Sequence, residues 1–169
     1  MRYFFDTEFI EDGQSVTLLS LGLVAADGRS YYAENSTADL GNANAFVIAN
    51  VIPLLGRDPN ARKTPLQIRD DLLKFIGRDK PEFWGYYCAY DWVLFSQLFG
   101  DFDSYHKLCG GWPMMCLDVE QLRLSYPNAT LPPPPVEQHH ALADAQWVQA
   151  AWRAITEQAA AQPRRLVGA

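Results

Sequence analysis

Apolar residues cluster in short runs at the start of the chain and recur at helical spacing later, so the pattern changes period part-way along. Arg2 to Phe9 is an aromatic run closed by acids, and Val16 to Ala26 (VTLLSLGLVAA) is a longer β-branched one; both predict strands. Asp27-Gly28 predicts a hairpin turn into a third strand through Arg29–Ala33. From Ala43 to Leu55 the apolar positions follow a helical repeat. Thr64-Pro65 supplies an N-cap and a first-turn proline for a helix through Ile76, with Gly77 as its stop.

Glu82 to Cys88 then predicts a buried strand, and Tyr90 to Phe99 a helix ended by Gly100. Met114–Leu117 predicts one more short strand, leading at Asp118 into a helix through Leu124. Four consecutive prolines within Leu131–Val136 exclude helix and central strand, so that stretch is an extended connector. It delivers the chain to a last helix, Ala141 to Ala160, which buries the face carrying Trp147, Val148, Ala151, Trp152 and Ile155. A strand meander followed by alternating strands and helices predicts an α/β fold: a mixed five- or six-stranded sheet flanked by helices. One domain over residues 1–161 and a frayed tail over 162–169 complete the expected organisation.

Composition narrows the function classes. The chain has 169 residues, 49% of them hydrophobic, enough for one self-sufficient core, and no apolar run approaches the roughly 20 residues that span a bilayer. Asp6 interrupts the N-terminal aromatic run before any signal-type stretch forms, which favours a soluble, cytoplasmic protein. Cys88, Cys109 and Cys116 are odd in number and lack zinc-finger spacing, so neither a disulfide framework nor structural zinc is expected. A net charge of −6 argues against holding long nucleic acid by neutralising many phosphates. Seven of the 14 basic residues do fall within 57–80; a solvated helix face is the ordinary reading of such a segment, a phosphate track the sharper one.

Asp6 and Glu8 stand two apart in a strand, so they share one face of the sheet among aromatic neighbours. Two carboxylates so placed repel each other and lose hydration, a cost that a divalent cation removes. Alone, such a pair is as readily a solvated strand end. Asp91 follows a buried strand pattern and begins a helix, where the carboxyl end of a strand presents ligands to a cleft; an ordinary N-cap has the same look. In Glu137-Gln138-His139-His140-Ala141-Leu142-Ala143-Asp144, Asp144 lies in the first turns of the last helix while His139 precedes it on the proline side. An imidazole there can take a proton from water near neutral pH. His140, four residues before Asp144, has the spacing of a routine helix pair, yet the doubled histidine leaves open which one acts.

Asp6-Thr7-Glu8, then Tyr90-Asp91, then His139 with Asp144 five residues on, closely resemble the three motifs of the DEDDh family of 3′ to 5′ exonucleases, which have the ribonuclease H-like fold. The resemblance runs from Tyr3 to Asp144 and the helix that carries it. The opening RYFFDTEFIEDG and the segment HHALADA look like the polyadenylate-specific exoribonucleases of the AS type, homodimers similar to ribonuclease T. Where many members have G-H-N-x-x-F-D, this chain reads Gly85-Tyr86-Tyr87-Cys88-Ala89-Tyr90-Asp91, with Tyr87 at the asparagine position. The tyrosine-type branch is disfavoured, because His140 stands where its tyrosine would be.

The resemblance implies an exoribonuclease that releases nucleoside 5′-monophosphates from the 3′ end of single-stranded RNA, working as a homodimer. It implies two Mg²⁺ or Mn²⁺ ions per active site on Asp6, Glu8, Asp91 and Asp144, with Asp6 bridging, Asp91 acting partly through water and His139 as general base. It places Phe9 against the terminal nucleotide, with Tyr90 and Trp84 as further stacking candidates. A proofreading-type DNA exonuclease, or an inactive ribonuclease H-like module that binds nucleic acid or protein, are the rival expectations.

Overall fold

The molecule, described as a computed structural model over residues 1–126 and 128–160, is built around one mixed sheet. Strands β1 (Arg2–Glu11), β2 (Val16–Ala25) and β3 (Ser30–Asn35) form the antiparallel meander, with Asp27-Gly28 at its second turn. The two-residue strand β4 (Arg62–Lys63) runs parallel to β3; on the other side β5 (Glu82–Gly85) runs parallel to β1, and the short β6 (Leu117–Asp118) parallel to β5. The order β4-β3-β2-β1-β5-β6 places β1 inside the sheet, so its side chains meet helices on both faces.

One face is covered by α2 (Pro65–Ile76), α3 (Ala89–Gln97) and α4 (Phe102–Leu108), which bury Tyr3, Phe5, Leu21, Leu23 and Phe83. Fully buried rings such as Phe5 and Phe83 contribute about 1.5–3 kcal/mol each through burial. On the opposite face α5 (Val119–Leu124) and α6 (Ala141–Ala159) pack on Phe4, Val24 and Trp84. The buried stripe of α6 is Ala141, Ala145, Val148, Ala151 and Ile155, and its alanines let the helix lie close to the sheet. A smaller cluster joins Ile10 and Leu19 to Val47 and Val51 beside α1 (Ala45–Asn50). These layers are the mixed sheet flanked by helices expected from the chain.

Several boundaries differ for local reasons. The helix expected over Ala43–Leu55 stops at Asn50 and continues only as a 3₁₀ turn, Ile52–Leu54, because Pro53 lacks the N–H that an α-helical bond requires. The strand expected to Cys88 ends at Gly85, since Tyr87 takes a left-handed conformation (φ 51°) and the Cys88 N–H donates to Asp118 Oδ2 instead of a ladder partner. The strand expected over Met114–Leu117 is reduced to Leu117–Asp118, where Asp118 already caps α5 through the N–H groups of Glu120 and Gln121. No helix among the described residues is long and apolar enough to cross a membrane. The expected tail, 162–169, lies outside the described residues.

Candidate active site

Alternation along β1 sends Phe4, Asp6 and Glu8 to the α6 face while Tyr3, Phe5, Thr7 and Phe9 point to the other. The register with β2 shifts between Glu8 and Phe9: Glu8 pairs with Ser20 and Phe9 with Leu18, so Leu19 is an extra residue in β2, a bulge beside the acids of β1. Asp6 pairs with Gly22, against which the first turn of α6 lies directly. A Cβ on Gly22 would come within 2.2 Å of the Ala141 carbonyl oxygen. This close approach delivers Asp144, and carboxylate oxygens of Asp6, Glu8 and Asp144 lie within 4.8 Å of one another.

Asp91 enters from the first turn of α3. Both the N–H and the hydroxyl of Thr7 donate to its Oδ1, at 2.8 and 2.6 Å, so the middle residue of the β1 motif orients the acid of the next motif. All four acids line one cavity of about 380 Å³ together with Phe9, Tyr86, Tyr87, His139, Trp147 and the prolines 134 and 135.

His139 has φ 67°, a left-handed conformation that costs a non-glycine residue about 1–2 kcal/mol, and its N–H donates to Asp144 Oδ2 at 2.8 Å. Its ring meets the exposed Phe46 of α1 edge-on, with centroids 4.9 Å apart. His140 turns the other way: its ring stacks on Tyr32 of β3 at 4.5 Å, and its Nδ1 is buried without a partner. The two histidines left open by the sequence are thus separated, with His139 on the cavity. Trp147 holds the proline connector there, its Nε1 donating to the carbonyls of Pro132 and Pro133.

Phe9, half-buried, lines the cavity, and the exposed Tyr90 packs against it with ring centroids 5.5 Å apart. Trp84 does not reach it. Paired with Phe4 in the register of β1 and β5, it lies under α6, packs on Trp152 and donates from Nε1 to Glu82 Oε1, which makes it a core residue rather than a base contact. Within the basic stretch, Arg57 pairs with Glu137, Lys63 and Lys74 with Asp71, and Arg69 with Asp70.

Crowding four acids has an electrostatic cost. Loss of hydration holds the Asp6 carboxyl far above its usual range, reinforced by repulsion from Asp91, Glu8 and Asp144. Loss of hydration and then repulsion from Asp144 and Asp91 push Glu8 up to about 8. Asp91 and Asp144 are raised by loss of hydration, which the hydrogen bonds from Thr7 and from the His139 N–H oppose. A cluster of hard carboxylate oxygens, short of hydration and of counter-charge, fits a divalent cation such as Mg²⁺ or Mn²⁺ better than a soft metal.

Residues 1–156 match the family model described as the 3′-5′ exoribonuclease Rv2179c-like domain. The chain belongs to this family. The protein named 3′-5′ exoribonuclease Rv2179c, from Mycobacterium tuberculosis strain ATCC 25618 / H37Rv, is 38% identical over 160 residues, covering 92% of this chain and 94% of that protein. Its counterpart 3′-5′ exoribonuclease in strain CDC 1551 / Oshkosh matches to the same extent. Among solved structures, one of exonuclease I superposes with a TM-score of 0.65 at 14% identity, over 93% of this chain and 40% of that one. That likeness shows the ribonuclease H-like fold, and the chain spans two fifths of that larger protein.

Membership of an exoribonuclease family makes catalysis the readout for the site's supports. Thr7→Val keeps the shape and removes the hydroxyl donor to Asp91. Turnover should fall about tenfold with a stability loss of about 1 kcal/mol, while Thr7→Ser retains both. Kinetics with single-stranded RNA check this, and an unchanged kcat for the valine variant would remove Thr7 from the site's machinery.

Proposed function

We propose that the chain is a divalent-metal-dependent exoribonuclease that shortens single-stranded RNA from its 3′ end to nucleoside 5′-monophosphates, with poly(A) tails as its substrate. The observation that carries this reading is the meeting of Asp6, Glu8, Asp91 and Asp144, from three separate elements, in one cavity with His139 on its wall. The names of the mycobacterial relatives support ribose substrates, and the motif likeness to polyadenylate-specific enzymes supports adenine.

Bound at these four carboxylates, two Mg²⁺ or Mn²⁺ ions would supply the charge that activates water and stabilises the departing 3′ oxygen. The chain's own groups do the rest. His139 takes the proton of the attacking water, and the bond from its backbone N–H to Asp144 ties its backbone to one of the acids. Phe9, backed by Tyr90, stacks on the terminal base, which suits a site that neutralises little phosphate charge elsewhere. With its Oδ1 already accepting two bonds from Thr7, Asp91 offers a single free oxygen and acts partly through water. A cytoplasmic homodimer is part of the proposal, the dimer supported by the same motif likeness.

Oligo(A), the other RNA homopolymers and matched DNA, each 5′-labelled, test the reading on wild type, His139→Ala and His140→Ala. Oligo(A) should shorten fastest and DNA slowest. His139→Ala should lower kcat about 10²–10⁴-fold, and His140→Ala far less. DNA degraded faster than RNA would replace the proposal with a proofreading-type activity, and loss confined to His140→Ala would move the base to that residue.

A further inference from the structure

The three cysteines, set aside in the sequence for their odd number, are not equivalent in the fold. Cys109, the residue after α4, lies buried in the apolar cluster under α2, α3 and α4. Cys88 and Cys116 meet, with Sγ atoms 2.8 Å apart, although 28 residues separate them. Cys88 ends the turn between β5 and α3, three residues before Asp91, and Cys116 immediately precedes edge strand β6. Two features hold them in register. Gly85 has no Cβ where one would come within 2.4 Å of the Cys88 Cβ, and Asp118 of β6 accepts the Cys88 N–H at 3.1 Å. A disulfide bond is about 2.05 Å long, so closure needs a shift on the order of 1 Å.

We propose that Cys88 and Cys116 form a redox-active dithiol that closes to a disulfide on reaction with a low-molecular-weight disulfide, fastening the turn before the Asp91 helix to the edge strand. Both cysteines line a cavity of about 410 Å³ together with Tyr87, Trp92 and Met115, but Cys116 is half-buried there whereas Cys88 is only 4% exposed. The outer sulfur therefore reacts first. The bond between the two thiols lowers Cys116, while that same bond and then burial raise Cys88.

In the first exchange the Cys116 thiolate attacks one sulfur of RSSR, forming a mixed disulfide and releasing RS⁻, which takes up a proton. Cys88 then loses its proton and attacks the Cys116 sulfur, expelling the second RS⁻. The protein has given up two electrons and two protons, and RSSR has become two RSH. Because closure moves little, the acids stay in place and the bond acts as a brace. Oxidised enzyme should keep its turnover and resist heat better.

The full chain is equilibrated in buffers of oxidised and reduced glutathione and its thiols are counted after denaturation. The proposal expects a fall from the three cysteines of the sequence to one, a digest containing a Cys88–Cys116 linked peptide, and a thermal midpoint raised by roughly 5–10 °C that reverts with dithiothreitol. Cys109→Ala should keep the response and Cys116→Ala should lose it. Three thiols persisting under oxidation, arrest at a glutathione adduct on Cys116, or a linkage through Cys109 would each overturn it. Thiol counting and peptide mapping on the wild type require no variant to fold.

Discussion

Asp6→Asn should lower turnover by about three orders of magnitude or more, yet raise the melting temperature of the metal-free protein. Both effects have one origin. Asp6 is crowded by Glu8, Asp91 and Asp144 and short of hydration, and its carboxyl is held far above the usual range, with Glu8 up to about 8. A carboxyl whose folded pKa is raised binds its proton more tightly folded than unfolded. Stability is therefore full below the unfolded value, near 4, and is lost as pH rises toward the folded one. Metal-free wild type should melt lower at pH 8 than at pH 5. Asparagine carries no charge, so its variant should show a shallower slope and a gain of roughly 2–8 °C at pH 8.

Added Mg²⁺ or Mn²⁺ should reverse that order, stabilising wild type by mass action and the variant far less. Thermal melts at both pH values, with metal and with chelator, read this out beside the kinetic assay. An Asp6→Asn protein less stable than wild type at pH 8 in chelator would show that the acids are not in electrostatic conflict.

Gly22→Ala should have the largest structural effect of any glycine-to-alanine change among the described residues. The new Cβ would lie 2.2 Å from the Ala141 oxygen, 2.4 Å from its carbonyl carbon and 2.5 Å from the Leu142 Cα, all backbone atoms of α6. No side chain can turn aside, so the first turn of α6 must lift from the sheet, taking Asp144 and His139 with it. A loss of about 3 kcal/mol or more is expected, with kcat down at least about 100-fold at temperatures where the variant is folded. A lower melting temperature with normal kcat would mean that Asp144 is positioned by something other than this contact.

Gly22 also marks the boundary of what could be read in advance. Its place inside an apolar strand was plain, but the helix that needs its bare backbone arrives about 120 residues later. The strands of the meander and the capped helix at Thr64-Pro65 were legible, since alternation and caps are local signals. α4 is absent from the elements the sequence predicts, although Asp101 caps it through the Ser104 N–H. β4 exists only through its pairing with β3. In the site, the four acids were legible from residue type and order, while the doubled histidine left His139 and His140 open. The Thr7 bonds to Asp91, the Trp147 hold on the prolines and the Phe46 contact with His139 are tertiary juxtapositions with no local signature. Trp84 carried an aromatic signal that tertiary packing assigned to the core.

The most direct test of the central claim is a time course on 5′-labelled single-stranded RNA with Mg²⁺ or Mn²⁺, with and without chelator, using wild type and Asp144→Asn. A ladder shortening from the 3′ end, with released 5′-monophosphates and no shortening in chelator or in the variant, is the predicted result. Shortening that persists in chelator, or no shortening under any metal, would contradict it.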